Sequence, residues 1–156
     1  MAAAALLAAP AAAAPPRTLF ASPVWVAFDR GADCAAIARS ELLALPGRDQ
    51  ARATISFDRP PGRRRGELHL RLSRPAIPGS TVLVQAGGAT FQLTARGPDA
   101  WSTGPAQEAA LIAAIRSAGD LRARFRAGDG GHTDRYLLTG APTAIDAAAA
   151  ACASRG

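Results

Sequence analysis

The chain contains no lysine and no asparagine, so all 18 of its basic side chains are arginine. Both missing residues have A-rich codons, and a GC-rich genome explains their absence without selection for arginine at a binding site. Aromatic residues are scarce at 5%, which leaves few rings for stacking on bases and argues against sequence-specific nucleic-acid binding. The two cysteines form no Cys-x-x-Cys redox pair, and with two distant histidines they are too few for a zinc site. Beyond the alanine-rich start, no apolar run is long enough to span a bilayer. No Gly-x-Ser-x-Gly occurs. "AGDGG" at 127–131 lacks the Lys-Ser/Thr of a phosphate loop and leads into a strand rather than a helix. An enzyme is therefore the weakest functional class, and no cofactor or metal is expected.

What is present fits one exported domain. A length of 156 residues suits a single core. The hydrophobic fraction of 49% is inflated by alanine tracts at 2–14 and 147–151. "MAAAALLAAPAAAAPPRTLF" runs small and apolar to Ala14, offers Ala-x-Ala cleavage choices around Ala12–Ala14, and has its first basic residue only at Arg17. These features predict an export signal over 1–14, an extended linker over 15–22 after the Pro15–Pro16 pair, and a single β-rich domain over 23–156. The expected location is periplasmic or secreted. In an oxidising compartment Cys34 and Cys152 read as one disulfide, with two buried free thiols as the alternative.

Period-2 patterning dominates the rest. "PVWVAF" reads as a first strand. "GADCAAIARSELLAL" is ambiguous, its alanines and leucines permitting a helix. In "ARATISFD", Ala53, Ile55 and Phe57 oppose Thr54, Ser56 and Asp58. In "GELHLRLS", Leu68, Leu70 and Leu72 oppose Glu67, His69 and Arg71. "RPPGRRRG" connects these two runs, and Gly87–Gly88 predicts a tight hairpin between "STVLVQA" and "ATFQLTAR". "GPAQEAALIAAIRSAG" is the clearest helix, with Pro105 suited to its first position. "DLRARFRAG" and "HTDRYLLTG" return to strand, and "APTAIDAAAAACASR" closes the chain as a short helix. Strands followed by late helices predict a mainly β fold, an antiparallel β-sandwich-like domain with two peripheral helices.

"HTDRYLLTG" places His132, Asp134 and Tyr136 at alternate positions, on one face of a strand. A carboxylate there can accept backbone N–H groups or meet an arginine, and a buried tyrosine hydroxyl needs one partner. That structural role is favoured over an acid–base pair of His132 with Asp134, since the glycine-rich neighbour of His132 suggests a loop tip. "VLVQAGGATFQL", the "AW" at 100–101, "LIAAIRSAGDL" and "TDRYLLTGAPTAIDAAAAAC" together resemble the invasion-associated locus B family of small exported bacterial proteins. The family's Asp-x-Tyr-Ser/Thr-Leu-x-Gly strand is matched by Asp134, Tyr136, Leu138 and Gly140, with Ala144 and Cys152 in the following helix. Leu137 departs from the family's small hydroxyl residue. The resemblance implies a β-rich exported protein, some relatives being linked to host-cell invasion, and carries over no catalytic residue or cofactor.

The net charge of +6 draws the protein toward acidic partners such as anionic glycans, phospholipid head groups or nucleic acid. Arg122, Arg124 and Arg126 share a strand face, and Arg71 projects from another. If those strands are neighbours, the four form a cationic plane for a phosphate or carboxylate polymer. The plain alternative is a solvated sheet face. The sequence thus favours a non-enzymatic interaction or structural protein whose partner is an envelope protein or an anionic glycan. A binder of anionic envelope or host glycans comes second, and a hydrolase third.

Overall fold

The computed structural model describes residues 12–153. The expected export segment lies outside the described residues except for 12–14, which are exposed. Ten strands and two helices follow: β1 (Arg17–Ala21), β2 (Trp25–Asp29), β3 (Asp33–Arg39), β4 (Arg52–Asp58), β5 (Arg65–Arg71), β6 (Val82–Ala86), β7 (Ala89–Arg96), β8 (Asp99–Trp101), α1 (Pro105–Ser117), β9 (Asp120–Ala127), β10 (Gly130–Leu137) and α2 (Ala141–Ala153). All ten strands join one sheet in the order β1-β2-β3-β4-β5-β8-β7-β6-β9-β10.

At about 4.8 Å per strand, a flat sheet of this order would hold β2 and β10 roughly 40 Å apart. Instead the Trp25 indole Nε1–H donates to the Leu137 carbonyl at 2.8 Å, and the Glu41 N–H donates to the Arg135 carbonyl at 2.8 Å. The sheet therefore curls until its last strand meets β2 and the residues after β3. The outcome is the expected mainly β, antiparallel, sandwich-like domain with two helices.

The inner face follows from the alternation. Ile55, Leu68, Leu70, Val82, Val84, Leu121, Ala123 and Tyr136 are buried in one core cluster. On β3 the inward set is Cys34, Ala36 and Ala38, in register with Phe57, Ile55 and Ala53 of β4. Cys34 is disulfide-bonded to Cys152 with a Cα–Cα distance of 5.8 Å, so α2 lies against this same face. It buries Ala144, Ile145 and Ala148 there. Pro105 opens α1, whose Leu111 and Ile115 join the core.

Two glycines permit close approaches that no other residue would. Gly140 has φ +86, and a Cβ on it would sit 2.8 Å from Ser22 Oγ, in the turn where that hydroxyl accepts the Trp25 N–H. Gly66, at φ +116, occupies the β5 bulge opposite Ser56 and Phe57, where a Cβ would fall 2.5 Å from Ile112 Cδ1.

Several expectations are corrected. The stretch 15–22, expected as a linker, contains strand β1, because Arg17–Ala21 pairs antiparallel with β2. The ambiguous "GADCAAIARSELLAL" is no helix: it divides into β3 and a connection over 40–51. Thr54 and Ser56, assigned to a polar face, are buried. Trp101 lies within the sheet on β8 and stacks on His69 with ring centroids 5.3 Å apart. His69 is itself half-buried and hydrogen-bonded to Asp99 at 2.8 Å.

Candidate functional site

The period of β10 carries His132, Asp134 and Tyr136 to the inward face, opposite Phe125, Ala123 and Leu121 of β9. Each has a defined environment. The His132 ring stacks on Phe125 with centroids 5.7 Å apart, and its Nε2 lies 2.7 Å from Asp129 Oδ1. That contact holds the Asp129 carboxyl below its ordinary range. Asp134 is 6% exposed, and its Oδ2 accepts the Ser73 N–H at 2.8 Å. Burial pushes the Asp134 carboxyl up, with the bonds from Ser73 acting in the opposite direction. Tyr136 is fully buried, and its hydroxyl has no hydrogen-bond partner among the described residues, contrary to the partner expected for it. Burial, followed by the neighbouring Asp134 charge, pushes that phenol up as well.

Two predictions arise here. Asp134→Ala strands the Ser73 N–H and is expected to cost about 1–3 kcal/mol, whereas Asp134→Asn keeps an acceptor and costs less. An acid whose folded pKa is raised binds its proton more readily in the folded state, so wild-type stability rises as pH falls through that pKa. The wild type is therefore expected to gain on Asp134→Asn between neutral pH and the ordinary aspartate range near 3.8. Denaturant melts of both variants across pH check this. For Tyr136→Phe the expected outcome is equal or higher stability, by up to about 1–2 kcal/mol, because the hydroxyl is desolvated without a protein partner. A loss above about 1 kcal/mol on melting would show that the hydroxyl has a partner after all.

Beside this cluster lies an open cleft of roughly 300 Å³. One wall is His132, Thr133 and Asp134 with Ser73 and Arg74, and the other is the 40–51 connection, including Leu42, Leu43, Leu45 and Arg48. Arg74 donates to the Ser73 carbonyl at 2.8 Å. Its Nε is buried, lacks a hydrogen bond and lies 3.7 Å from Asp129 Oδ2. Sequence reading missed the cleft, since "SELLAL" is composed of helix formers. The discernible signal was Gln50, which folds the connection back on itself. Its amide accepts the Ala44 N–H at 2.9 Å and donates to Ser40 Oγ at 2.9 Å.

The four arginines considered for a cationic plane do not come together. β8, β7 and β6 stand between β5 and β9, so Arg71 is remote from Arg122, Arg124 and Arg126 in the sheet order. Arg71 is bound instead to Asp49 at 2.7 Å and Asp99 at 2.9 Å. Arg122 bonds Asp120 at 2.9 Å, and the same carboxylate takes Arg135 at 2.6 Å, which holds Asp120 below its ordinary range. Arg124 and Arg126 stay exposed with no acidic partner among the described residues. Of the triple arginine at 63–65, Arg63 and Arg65 are exposed, and Arg64 between them is tied in, bridging Asp58 at 2.7 Å and Asp33 at 2.8 Å. Burial opposes ionisation of Asp58, yet its bonds to Arg64 and to the Arg63 N–H leave the carboxyl below its ordinary range.

Sequence reading also missed Glu108, buried in the first turn of α1. Burial, and then the nearby Glu67 charge, push its carboxyl up. Among the described residues no three His, Cys, Asp or Glu side chains converge to hold a metal ion, and no helix is long and apolar enough to cross a membrane. In comparisons with known proteins no family model matches the chain, and neither a curated protein nor a solved structure is significantly similar to it.

Proposed function

We propose that the chain is an exported, periplasmic or secreted protein that acts without catalysis, as a small interaction or structural module similar to the invasion-associated locus B family. The observation that carries the proposal is the employment of the His132–Asp134–Tyr136 cluster. Asp134 is committed to a backbone N–H, His132 to Asp129 and Phe125, and Tyr136 is sealed in the core. General acid–base work needs a group free to meet a substrate proton; Asp134 and Tyr136 are turned to the interior, which leaves His132, at the cleft wall with its Nε2 held by Asp129, as the residue to test. The family resemblance gains support from the placement of its motif. Tyr136 and Leu138 are buried, Gly140 makes the tight approach at the start of α2, and Cys152 is bridged to Cys34. Export is supported by that disulfide. It is supported too by β1, which begins at Arg17, just beyond the expected cleavage region.

Cell fractionation with N-terminal sequencing tests the compartment. The mature chain is expected to begin between Ala12 and Arg17 in the envelope or medium. An intact Met1 on a cytosolic protein would overturn export. Hydrolysis of any ester, amide or glycoside that disappears on His132→Ala would overturn the non-catalytic reading. The glycan alternative rests on exposed Arg124 and Arg126. It requires salt-sensitive retention on heparin that is lost when both become glutamine.

A further inference from the structure

The exposed large apolar side chains are not scattered. Leu42, Leu43 and Leu45 are 79%, 63% and 67% exposed, and all three lie on the single connection between β3 and β4. A fourth, Ile77 at 39%, is on the 72–81 connection, whose Ser73 and Arg74 line the facing wall of the cleft. This leucine loop is not a slack insertion. Ser40 Oγ donates to the Leu42 carbonyl at 2.9 Å, Gln50 Nε2 donates to the same carbonyl at 3.1 Å, and the Arg48 N–H donates to the Leu45 carbonyl at 3.0 Å. The loop's backbone is thus tied down while its leucines stand in solvent, an arrangement that costs free energy unless something covers them.

Charge around the loop points to what covers them. Arg39 and Arg52 lie directly opposite one another at its root, the last pair of the β3–β4 ladder, and Arg71 faces Arg52 on the next strand. Like charges placed opposite each other destabilise a sheet. Arg71 is neutralised by Asp49 and Asp99, but Arg39, Arg52 and Arg48 are exposed and have no acidic hydrogen-bond partner among the described residues. The acids of this region are already engaged: Glu41 with Arg135, Asp129 with His132, and Asp134 with Ser73. An apolar tip with exposed Arg39 and Arg52 at its root and Arg48 beside it, balanced only by Asp49, which Arg71 and Arg52 share, matches the cross-section of a bilayer leaflet, acyl chains beneath anionic head groups.

We propose that the 40–51 loop docks the protein onto an anionic lipid surface. Leu42, Leu43 and Leu45 enter the head-group/acyl boundary, while Arg39, Arg48 and Arg52 take lipid phosphates. This deepens the interaction reading by naming a partner, and depends on it only for the compartment. Lipid binding is measured on purified protein, so it fails or succeeds independently of export and of any catalytic activity.

The test is flotation of the full chain with vesicles of equal parts phosphatidylglycerol and phosphatidylcholine, and with phosphatidylcholine alone. Binding is expected on the anionic vesicles, weakened by salt and much reduced on the zwitterionic ones. Replacing Leu42, Leu43 and Leu45 together by serine is expected to lower partitioning at least tenfold. Arg39→Gln with Arg52→Gln is expected to lower it about tenfold or more. These side chains are exposed, so an unchanged thermal melt verifies that each variant folds. Leu43→Trp supplies a second readout, a blue-shifted emission on anionic vesicles only. All variants share the apolar residues 1–14, so binding through that segment would appear equally in each of them. Equal binding by wild type and the leucine variant would overturn the proposal. So would absence of vesicle binding, including the case in which the leucine variant loses a protein partner captured by wild type.

Discussion

Reduction of the native protein is expected to lower its melting temperature by roughly 10–15 °C. The Cys34–Cys152 bridge closes a loop spanning 118 residues. In the chain-entropy account a loop of about 100 residues confers roughly 4–5 kcal/mol by restricting the unfolded chain. The folded side strengthens the case. α2 is largely alanine, and the side chains it buries are Ala141, Ala144, Ile145, Ala148 and Cys152, so its apolar contact is shallow. A helix of this length is marginal alone and depends on tertiary contact. Cutting the bridge therefore releases the unfolded chain and also weakens the docking of α2 on β2 and β3. The expected signature is a lower denaturation midpoint in Cys34→Ala/Cys152→Ala, together with faster hydrogen exchange in α2 than in β4 or β5. A thiol assay on unreduced, denatured protein should find no free thiol. Two free thiols, or a midpoint unchanged by reductant, would contradict the bridge.

The strands legible in the sequence were β2, read from "PVWVAF", and those in which apolar residues alternate with polar ones, namely β4 to β7, β9 and β10, where Leu68, Leu70 and Phe125 alternate with charged or polar residues. β3 was not legible. It consists mostly of alanine, and Ala35 and Ala36 are both fully buried although they point to opposite faces, so no period is visible. β1 was lost for a related reason: it is a five-residue edge strand following two prolines, and its two ends are exposed. The failed cationic plane has a different cause. Neighbouring strands in sequence usually neighbour in space, but here β8 inserts beside β5 and carries Asp99 to Arg71. No local pattern in either segment announces that pairing.

The cleft and the leucine loop were hidden by composition. "SELLAL" carries helix-forming residues, and its departure from helix is decided by Gln50, Ser40 and the Glu41 N–H, which bonds the Arg135 carbonyl far along the chain. Local propensity loses to tertiary hydrogen bonding at this point. Where local preference and final structure disagree, function is a frequent reason, and the exposed leucines fit that pattern. Asp134 and the disulfide were readable because each depends on residue chemistry more than on register.

Leu70→Ala is expected to destabilise the protein by about 3–5 kcal/mol, the largest effect of any single core truncation argued here. Leu70 is fully buried in β5, an interior strand held between β4 and β8. Its cross-strand neighbours on the same face are Ala53 and Ala100, two small residues. Leu70 fills the space that they leave, and neither alanine can extend into a void. The cavity should persist, which places the cost at the upper end for leucine truncation. Phe125→Ala provides the contrast. Phe125 is 4% exposed, and its ring is covered by His132, a half-buried side chain at the mouth of β10. The imidazole can settle into part of the vacated space, so a smaller cost of about 2–4 kcal/mol is expected. Urea denaturation of both variants decides the matter, with the m-value checked to confirm that the unfolded state is unchanged. The ranking is the sharper test. If Phe125→Ala proved the more damaging, the alanines beside Leu70 would have to close over its cavity, and the curled sheet would be more compliant at its centre than at its rim.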